Sequence, residues 1–280
     1  MSLLHSVKTE LFGMFKLELQ MEKLDSLKNY LKNLGSVAVA FSGGVDSAFL
    51  LKTAHDVLED RAVAVTESSC FVPERDISAA REFCAANGIR LFELKANPLD
   101  DENIKKNPKN RCYFCKKSLY ADMKNLAREN GIEHVAEGTN VDDLGDYRPG
   151  LAALEELGIK SPLRDCGFSK DEIRQASKEM GLPTWDKPSS PCLASRFAYG
   201  EMLTKERIRM VESAENFLFE NGFSQFRVRV HGNVARIEVT NDDMETLFTM
   251  RHEVYEQLKK IGFDFVAMDL HGFKSGSMNV

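Results

Sequence analysis

The segment VAVAFSGGVDS, Val37 to Ser47, decides the fold of this 280-residue chain. An apolar run leads directly into Ser-Gly-Gly-Val-Asp-Ser and then into a helical pattern, which predicts a buried strand, a tight turn and a helix. Gly43 and Gly44 permit the tight backbone and the close anion approach that a Cβ would obstruct. Ser42, Ser47 and the first helical amides supply donors at a helix start that favours negative charge. The segment therefore predicts a phosphate-binding loop.

Two better-known phosphate motifs do not fit this loop. It lacks the Lys-Ser/Thr ending of the Walker-type loop, and it does not match the GxGxxG dinucleotide fingerprint. An ordinary strand-to-helix turn rich in Gly and Ser is the alternative. Asp46 lies in the first helical turn, where a bare carboxylate would repel phosphates, so we expect it to act through Mg²⁺. A carboxylate that only stabilises the helix start is the competing interpretation.

Strand and helix patterns alternate after the loop. Strands are predicted at residues 62–66, 89–94 and 134–137, with helices between them, and Ser169 and Glu172 form a capping-box pattern at the start of a later helix. Short connections between alternating elements predict an α/β fold with a doubly wound parallel sheet. Ligands of such sheets bind at the carboxyl ends of the strands, where the phosphate loop also lies.

The pattern changes near residue 200. Residues 182–200 are punctuated by prolines and are predicted to form an active-site loop. A helix, a hairpin that turns at His231–Asn233, another helix and a strand at residues 265–270 follow. We therefore predict a nucleotide domain at residues 1–200, including an N-terminal helix, and a small C-terminal α+β domain for substrate binding or oligomerisation at 201–280.

Composition narrows the class of protein. The chain is 43% hydrophobic, enough for a large core, and its 43 acidic against 37 basic residues give a net charge of -6. An acidic balance argues against nucleic acid as a partner. No apolar run approaches membrane-spanning length and the N-terminus carries no signal-like cleavage site, so we expect a cytoplasmic protein without a membrane partner.

Three of the six cysteines form a candidate ligand set: Cys112 and Cys115 in NRCYFCKK, and Cys192 in SSPCLASR. A CxxC lets two thiolates converge on one metal or cluster, and a third must come from elsewhere in the fold. Zinc would normally require a fourth ligand, for which no histidine has a convincing spacing. A [4Fe-4S] cluster can use three thiolates and leave one iron open. A buried cysteine pair, or a structural zinc with an unexpected ligand, are the alternatives.

The remaining cysteines have no such pattern. Cys84 lies on the apolar side of its predicted helix, with Ile77 and Ala80, so we expect it in the core. Cys70 and Cys166 lack partners at a diagnostic spacing.

The chain as a whole resembles the LarE family of ATP-dependent sulfur transferases, within the PP-loop ATP pyrophosphatases. SGGVDS is typical of the superfamily, and the narrower resemblance rests on DYRPG, ASRFAYG, RVRVHGNVARIE and the final GFKSGSMN. The resemblance implies that ATP adenylates a carboxylate of pyridinium-3,5-biscarboxylic acid mononucleotide and that sulfur then replaces AMP. The product serves biosynthesis of the nickel-pincer nucleotide cofactor.

The sulfur source differs among members of the family. Some give up the sulfur of a single cysteine before SRF, whereas members with an additional CxxC hold a [4Fe-4S] cluster whose free iron carries a hydrosulfide. Cys112, Cys115 and Cys192 match the second type. The resemblance thus implies ATP, Mg²⁺ and a [4Fe-4S] cluster as cofactors and a sulfide donor as partner; we also expect a homo-oligomer.

Substrate contacts are also implied by the resemblance. The pyrophosphate would be held by Ser42, Gly43, Gly44, Asp46 and Ser47. Arg227 and Arg229 alternate on a strand, so both guanidinium groups leave one face, a spacing suited to phosphate. The resemblance assigns them to the substrate phosphate, with Ser195 and Arg196 nearby; two arginines on a solvated face are the alternative.

Another group of charged residues follows the fourth strand. Asp142, Asp143 and Asp146 offer metal or ribose contacts, or simply a solvated loop. Arg148 could steady the adenylate phosphate or pair with a neighbouring aspartate.

Two other functions remain open at this stage. Some PP-loop tRNA thiolases also combine CxxC with a distant cysteine, but they should show a basic face and an RNA-binding module. A nucleotide-binding regulatory protein whose cluster senses oxygen is the second alternative.

Overall fold

The computed structural model describes residues 20–145, 149–274 and Met278. Within them the first helix, α1, covers residues 20–34. The strands are β1 (Val37–Ala40), β2 (Ala62–Ser68), β3 (Leu91–Lys95), β4 (His134–Ala136), β5 (Phe226–His231), β6 (Val234–Val239) and β7 (Phe265–Met268). The remaining helices are α2 (Val45–Leu58), α3 (Glu74–Asn87), α4 (Glu102–Lys105), α5 (Arg111–Glu129), α6 (Pro149–Glu156), α7 (Pro162–Asp165), α8 (Lys170–Glu179), α9 (Lys205–Glu220), α10 (Met244–Thr249) and α11 (Arg251–Ile261). The predicted sites Asp146 and Arg148, and residues 275–277 of the final motif, lie outside the described residues.

The first sheet is parallel, with the strand order β3-β2-β1-β4. Its central strand β1 is apolar on both faces because helices cover both. Val37 and Val39 pack in one core with α1, α2, α3 and α8, while Ala38 packs in another with α5 and α6. The predicted doubly wound sheet is therefore confirmed, and the phosphate loop leaves the carboxyl end of β1.

One strand begins later than predicted. Gly88 ends α3 in the left-handed conformation (φ 68°), and the Ile89 amide bonds back to the Cys84 carbonyl at 2.9 Å. Ile89 therefore packs as the apolar residue of a helix cap, and β3 begins at Leu91. The predicted capping box at Ser169 and Glu172 is present at the start of α8.

The second sheet has the order β5-β6-β7, with β5 and β6 antiparallel, as the hairpin pattern predicts, and β6 and β7 parallel. Helices α9 and α11 cover it, and their core also takes in Phe71, Ile104 and Leu193 from earlier in the chain. A bridge joins Phe197 to Val230. The small sheet is thus packed against the segment that carries Cys192, and the division at residue 200 stays a prediction. None of the described helices is long and apolar enough to cross a membrane.

Candidate active site

The phosphate loop is a tight turn between β1 and α2. Gly43 adopts a left-handed φ of 69°, and a Cβ there would lie 3.5 Å from the Asp76 carbonyl oxygen. The hydroxyl oxygens of Ser42 and Ser47 lie 3.1 Å apart, and Ser47 Oγ donates to the Gly44 carbonyl at 3.2 Å. The loop therefore places two hydroxyls and the first amides of α2 at one point, as an anion requires.

The chain leaving β4 closes this loop from the other side. A Cβ on Gly138 would lie 3.1 Å from both Asp46 Cβ and the Ser47 amide nitrogen, so glycine allows the close approach. Asp46 accepts from Lys170 Nζ at 2.5 Å and from Asn140 Nδ2 at 3.3 Å. The Asp46 carboxylate is thus held between α8 and the segment after β4.

The aspartates after β4 have structural contacts. Asp142 accepts from the Lys170 amide at 2.7 Å, and Asp143 accepts from the Asn140 amide at 3.0 Å. Asp143 also lines the cavity described next, whereas Asp142 does not.

A cavity of about 800 Å³ extends from the phosphate loop to the cysteines. Its lining includes both groups of predicted residues: Ser42, Asp46, Ser47, Cys112, Cys115 and Cys192. The fold therefore brings the nucleotide loop, the CxxC segment and the segment of Cys192 to one cavity.

The thiols reach this cavity from two elements. Cys112 and Cys115 lie in the first turns of α5, and Cys192 immediately precedes a short 3-10 turn, Leu193–Arg196. Cys112 and Cys192 are exposed and Cys115 is half-buried. The protein groups crowded around Cys192 and Cys115 nevertheless desolvate both thiols and raise the pKa of each, while the Arg111 charge acts in the opposite direction on both. Among the described residues, no three His, Cys, Asp or Glu side chains form a ready metal site as they stand. Cluster ligation therefore stays a prediction.

Four arginines hold the segment around Cys192 by its backbone carbonyls. The pairs are Arg227 Nη2 with Ser189 (2.7 Å), Arg196 Nη1 with Pro191 (2.7 Å), Arg111 Nη1 with Ala194 (3.0 Å) and Arg229 Nη1 with Ser195 (3.1 Å). The position of Cys192 is thus set jointly by α5 and by the second sheet.

The predicted substrate-binding arginines are buried. Arg196 pairs with Glu215 at 2.8 Å and Arg229 with Glu238 at 3.0 Å, and all four side chains are at most 5% exposed. Arg227 contacts backbone carbonyls and the Phe273 ring, and burial lowers its pKa to about 10. The solvated strand face considered as an alternative is wrong. The contacts themselves do not test a substrate role.

Sequence reasoning missed several polar residues of the cavity. Glu67 ends β2 and Glu137 follows β4, so both stand where a parallel sheet collects ligands. Burial raises the pKa of Glu67. Glu137 is buried and accepts from Thr139 Oγ1 and Ser161 Oγ, both at 2.6 Å. Their place at strand ends was the available signal.

A lysine also joins the Cys192 segment to the phosphate loop. Lys187 Nζ donates to the Gly43 carbonyl and to Asp76 Oδ1, each at 3.1 Å, and Ser190 Oγ donates to Asp76 Oδ2 at 2.8 Å. The same segment therefore contacts both the nucleotide loop and, through Cys192, the thiol end of the cavity.

A parallel sheet with Ser-Gly-Gly-x-Asp-Ser at the end of its first strand defines the class: a PP-loop ATP pyrophosphatase. In agreement, the family model described as NAD synthase matches residues 19–129. The chain is 38% identical over 250 residues to pyridinium-3,5-bisthiocarboxylic acid mononucleotide synthase of Lactiplantibacillus plantarum, covering 89% of this chain and 91% of that protein. The chain belongs to the LarE family.

Two further relatives show how far the similarity extends. The uncharacterized protein slr1717 of Synechocystis is 40% identical over 259 residues, covering 92% of this chain and 97% of that protein. The tRNA-specific 2-thiouridylase MnmA of Clostridium perfringens is 29% identical over 192 residues, which cover 55% of this chain and 53% of MnmA. The similarity to the synthase and to slr1717 covers about nine-tenths of this chain, whereas that to the tRNA enzyme covers about half of either chain.

Proposed function

We propose that this enzyme is an ATP-dependent sulfur transferase acting on pyridinium-3,5-biscarboxylic acid mononucleotide. One observation carries the proposal: the phosphate loop and Cys112, Cys115 and Cys192 line the same cavity. A nucleotide held at one end of the cavity would activate the substrate carboxylate, and a sulfur source at the other end would then attack the same acyl carbon. Proximity of this kind replaces a high concentration of free sulfide.

The chemistry requires activation before sulfur transfer. A carboxylate oxygen of the substrate attacks the α-phosphorus of ATP and pyrophosphate leaves, which forms an acyl adenylate. A sulfur nucleophile then attacks the acyl carbon, AMP departs with the C–O bonding electrons, and a thiocarboxylate remains. Ser42, Ser47 and the first amides of α2 would hold the pyrophosphate, and Asp46 would act through Mg²⁺.

The cysteine end fits an iron–sulfur cluster. It offers three thiols, and beside them the buried Arg111 has an Nε atom without any hydrogen-bond partner among the described residues. Three thiolates with an adjacent unbalanced cation suit an anionic [4Fe-4S] centre, which can be held by three cysteines. Cys112, Cys115 and Cys192 would hold the cluster, which supplies a sulfur nucleophile when bound and is replenished by a sulfide donor.

The arginines of the second sheet suit the substrate phosphate. Arg196, Arg229 and Arg236 share the carboxylates of Glu215, Glu238 and Asp269 in ion pairs. Arg227 has only carbonyl and ring contacts among the described residues, so a phosphate would find a cation available there. We propose that the phosphate competes with the Ser189 carbonyl for this guanidinium, with Ser195 close by.

The proposal is tested by measuring pyrophosphate release from ATP under anaerobic conditions, with and without the pyridinium dicarboxylate substrate. We expect release only with substrate, and a product whose mass shows sulfur in place of a carboxylate oxygen. Stimulation by bulk tRNA instead would favour a tRNA thiolase. Binding of ATP without release under either condition would favour a regulatory nucleotide-binding protein.

A further inference from the structure

Arg111 is a buried cation at the cysteine end of the cavity. It is the first residue of α5 and only 4% exposed. Its Nη1 donates to Asn107 Oδ1 and, at 3.0 Å, to the Ala194 carbonyl. Its Nη2 lies 3.9 Å from Cys112 Sγ, within reach of a weak N–H···S contact. Each of these partners is formally neutral.

Arg111 differs in this respect from two other buried arginines. Arg196 and Arg229 each face a buried glutamate, but no carboxylate forms an ion pair with Arg111 in the part of the chain that the structure describes. A buried charge without a counter-charge is costly, so proteins pair such charges or bind an ion there. The cavity thiols Cys112, Cys115 and Cys192 can become anionic, and each interacts with the Arg111 charge. The cavity carboxylate Glu67 interacts with Cys115 and Cys192.

We propose that Arg111 is the built-in counter-charge of the three-thiolate site, and that it also fixes the Cys192 segment against α5. The inference rests on the proposed function, since it assigns a role toward the cluster. Through its bond to the Ala194 carbonyl, Arg111 links the segment two residues after Cys192 to the helix that carries Cys112 and Cys115. One side chain therefore contributes both to the charge at the ligands and to their spacing.

The electrostatic part has a direct spectroscopic consequence. Net charge and hydrogen bonds to sulfur set the reduction potential of an iron–sulfur cluster. A fixed positive charge favours the more negative, reduced form, so its removal should make the potential more negative. Loss of such a supporting residue should also weaken cluster retention by about tenfold or more.

The experiment compares wild-type protein, Arg111→Gln and Arg111→Lys after anaerobic reconstitution with iron and sulfide. We expect Arg111→Gln to show a more negative cluster potential by EPR-monitored titration and faster loss of iron to a chelator. Arg111→Lys should recover the wild-type potential, because it keeps the charge, and only part of the retention, because it loses the planar fork.

Two further variants test whether charge beside the cluster, and not a disturbed fold, changes the reduction potential. Asn107→Asp keeps Arg111 but places a carboxylate beside its guanidinium, so it should shift the potential in the same direction as Arg111→Gln. Lys109→Gln removes an exposed charge two residues away, which solvent screens, so it should leave the potential unchanged.

The outcomes distinguish a failure of cluster binding from a failure of the role assigned to Arg111. If the wild type takes up no iron–sulfur cluster, the proposed cluster as sulfur source fails and this inference fails with it, whereas substrate-dependent pyrophosphate release tests the proposed function separately. If the wild type is loaded but Arg111→Gln and Asn107→Asp leave the potential where it was, only the role of Arg111 is overturned. The same result follows if Arg111→Lys matches Arg111→Gln in potential, since charge would then not be the cause.

Discussion

Two regions of this molecule bury arginines and differ in how the charge is compensated. Beside the second sheet, Arg196 and Arg229 are buried against Glu215 and Glu238, so each of these two guanidinium groups has a counter-charge within the protein. At the cysteine end, Arg111 is equally buried, but its hydrogen-bond partners among the described residues are all neutral. We therefore interpret the paired arginines Arg196 and Arg229 as parts of the fold. We interpret Arg111, in line with our proposal, as the counter-charge of an anionic group at the site.

Removing the carboxylate of Glu215, the partner of Arg196, should have the largest effect on stability. Glu215→Gln leaves Arg196 buried without a counter-charge. The NH2 group of the glutamine would also face the guanidinium, so two hydrogen-bond donors would meet. We expect a loss of about 3–5 kcal/mol in the free energy of unfolding, measured by urea denaturation.

A surface pair provides the control for this change. Glu156 pairs with Lys117 at 2.9 Å, but both side chains are about half exposed. Glu156→Gln should change the free energy of unfolding far less than Glu215→Gln, because exposed ion pairs contribute little to stability. Equal losses in the two variants would show that burial does not distinguish the pairs.

The region around Arg111 can be tested by removing Cys112, one of the thiols that can carry negative charge there. Because loss of a residue that only supports a metal ligand costs about 10- to 100-fold, Cys112→Ala should reduce thiocarboxylate formation by more than about 100-fold. Substrate-dependent pyrophosphate release should persist, since the phosphate loop is untouched.

Cys166→Ser is the matched control, because Cys166 is only half-buried, packs against the core of the first sheet and does not line the cavity. It should retain both activities. Loss of both activities in a folded Cys112→Ala protein would contradict the division between nucleotide activation and sulfur supply.

The smallest expected effect is the pH dependence of the stability that Glu215 contributes. Burial alone would raise the pKa of Glu215, but the charge and hydrogen bonds of Arg196 outweigh it and the pKa lies below its ordinary value. The stability contributed by the ionised carboxylate is complete above the unfolded pKa, about 4.3, and is lost as pH falls through the folded value.

The stability difference between wild type and Glu215→Gln should therefore shrink below about pH 4, by at most about 1.4 kcal/mol per pH unit. Urea denaturation between neutral and acidic pH measures it. A difference that stays constant across this range would mean that charge is not what Glu215 contributes.

Much of the fold followed from local patterns in the sequence. The apolar run of β1, the Ser-Gly-Gly turn, the capping box of Ser169 and the β5–β6 hairpin are all encoded within about a dozen residues. The start of β3 was missed because a left-handed Gly88 redirects Ile89 into a helix cap, and that choice depends on packing.

The site was only partly accessible from the sequence. The CxxC spacing selected Cys112 and Cys115, because it is a local signal, whereas Cys192 was selected through the family resemblance of the loop before SRF. Nothing local distinguishes Arg111 from any solvated arginine at a helix start; its burial arises from Asn107 and Ala194, which reach it only in the folded chain. The same limit applies to Arg227 and Arg229, whose shared face was predicted but whose burial was not.

The most direct test of the account is the iron and acid-labile sulfide content of anaerobically purified protein, compared among wild type, Cys192→Ala and Cys166→Ser. We predict the iron-to-sulfide ratio of a [4Fe-4S] cluster in wild type and Cys166→Ser, and its loss in Cys192→Ala. Zinc in place of iron in the wild type, or a cluster that survives in Cys192→Ala, would contradict the claim that three cysteines from two distant segments present sulfur beside the nucleotide loop.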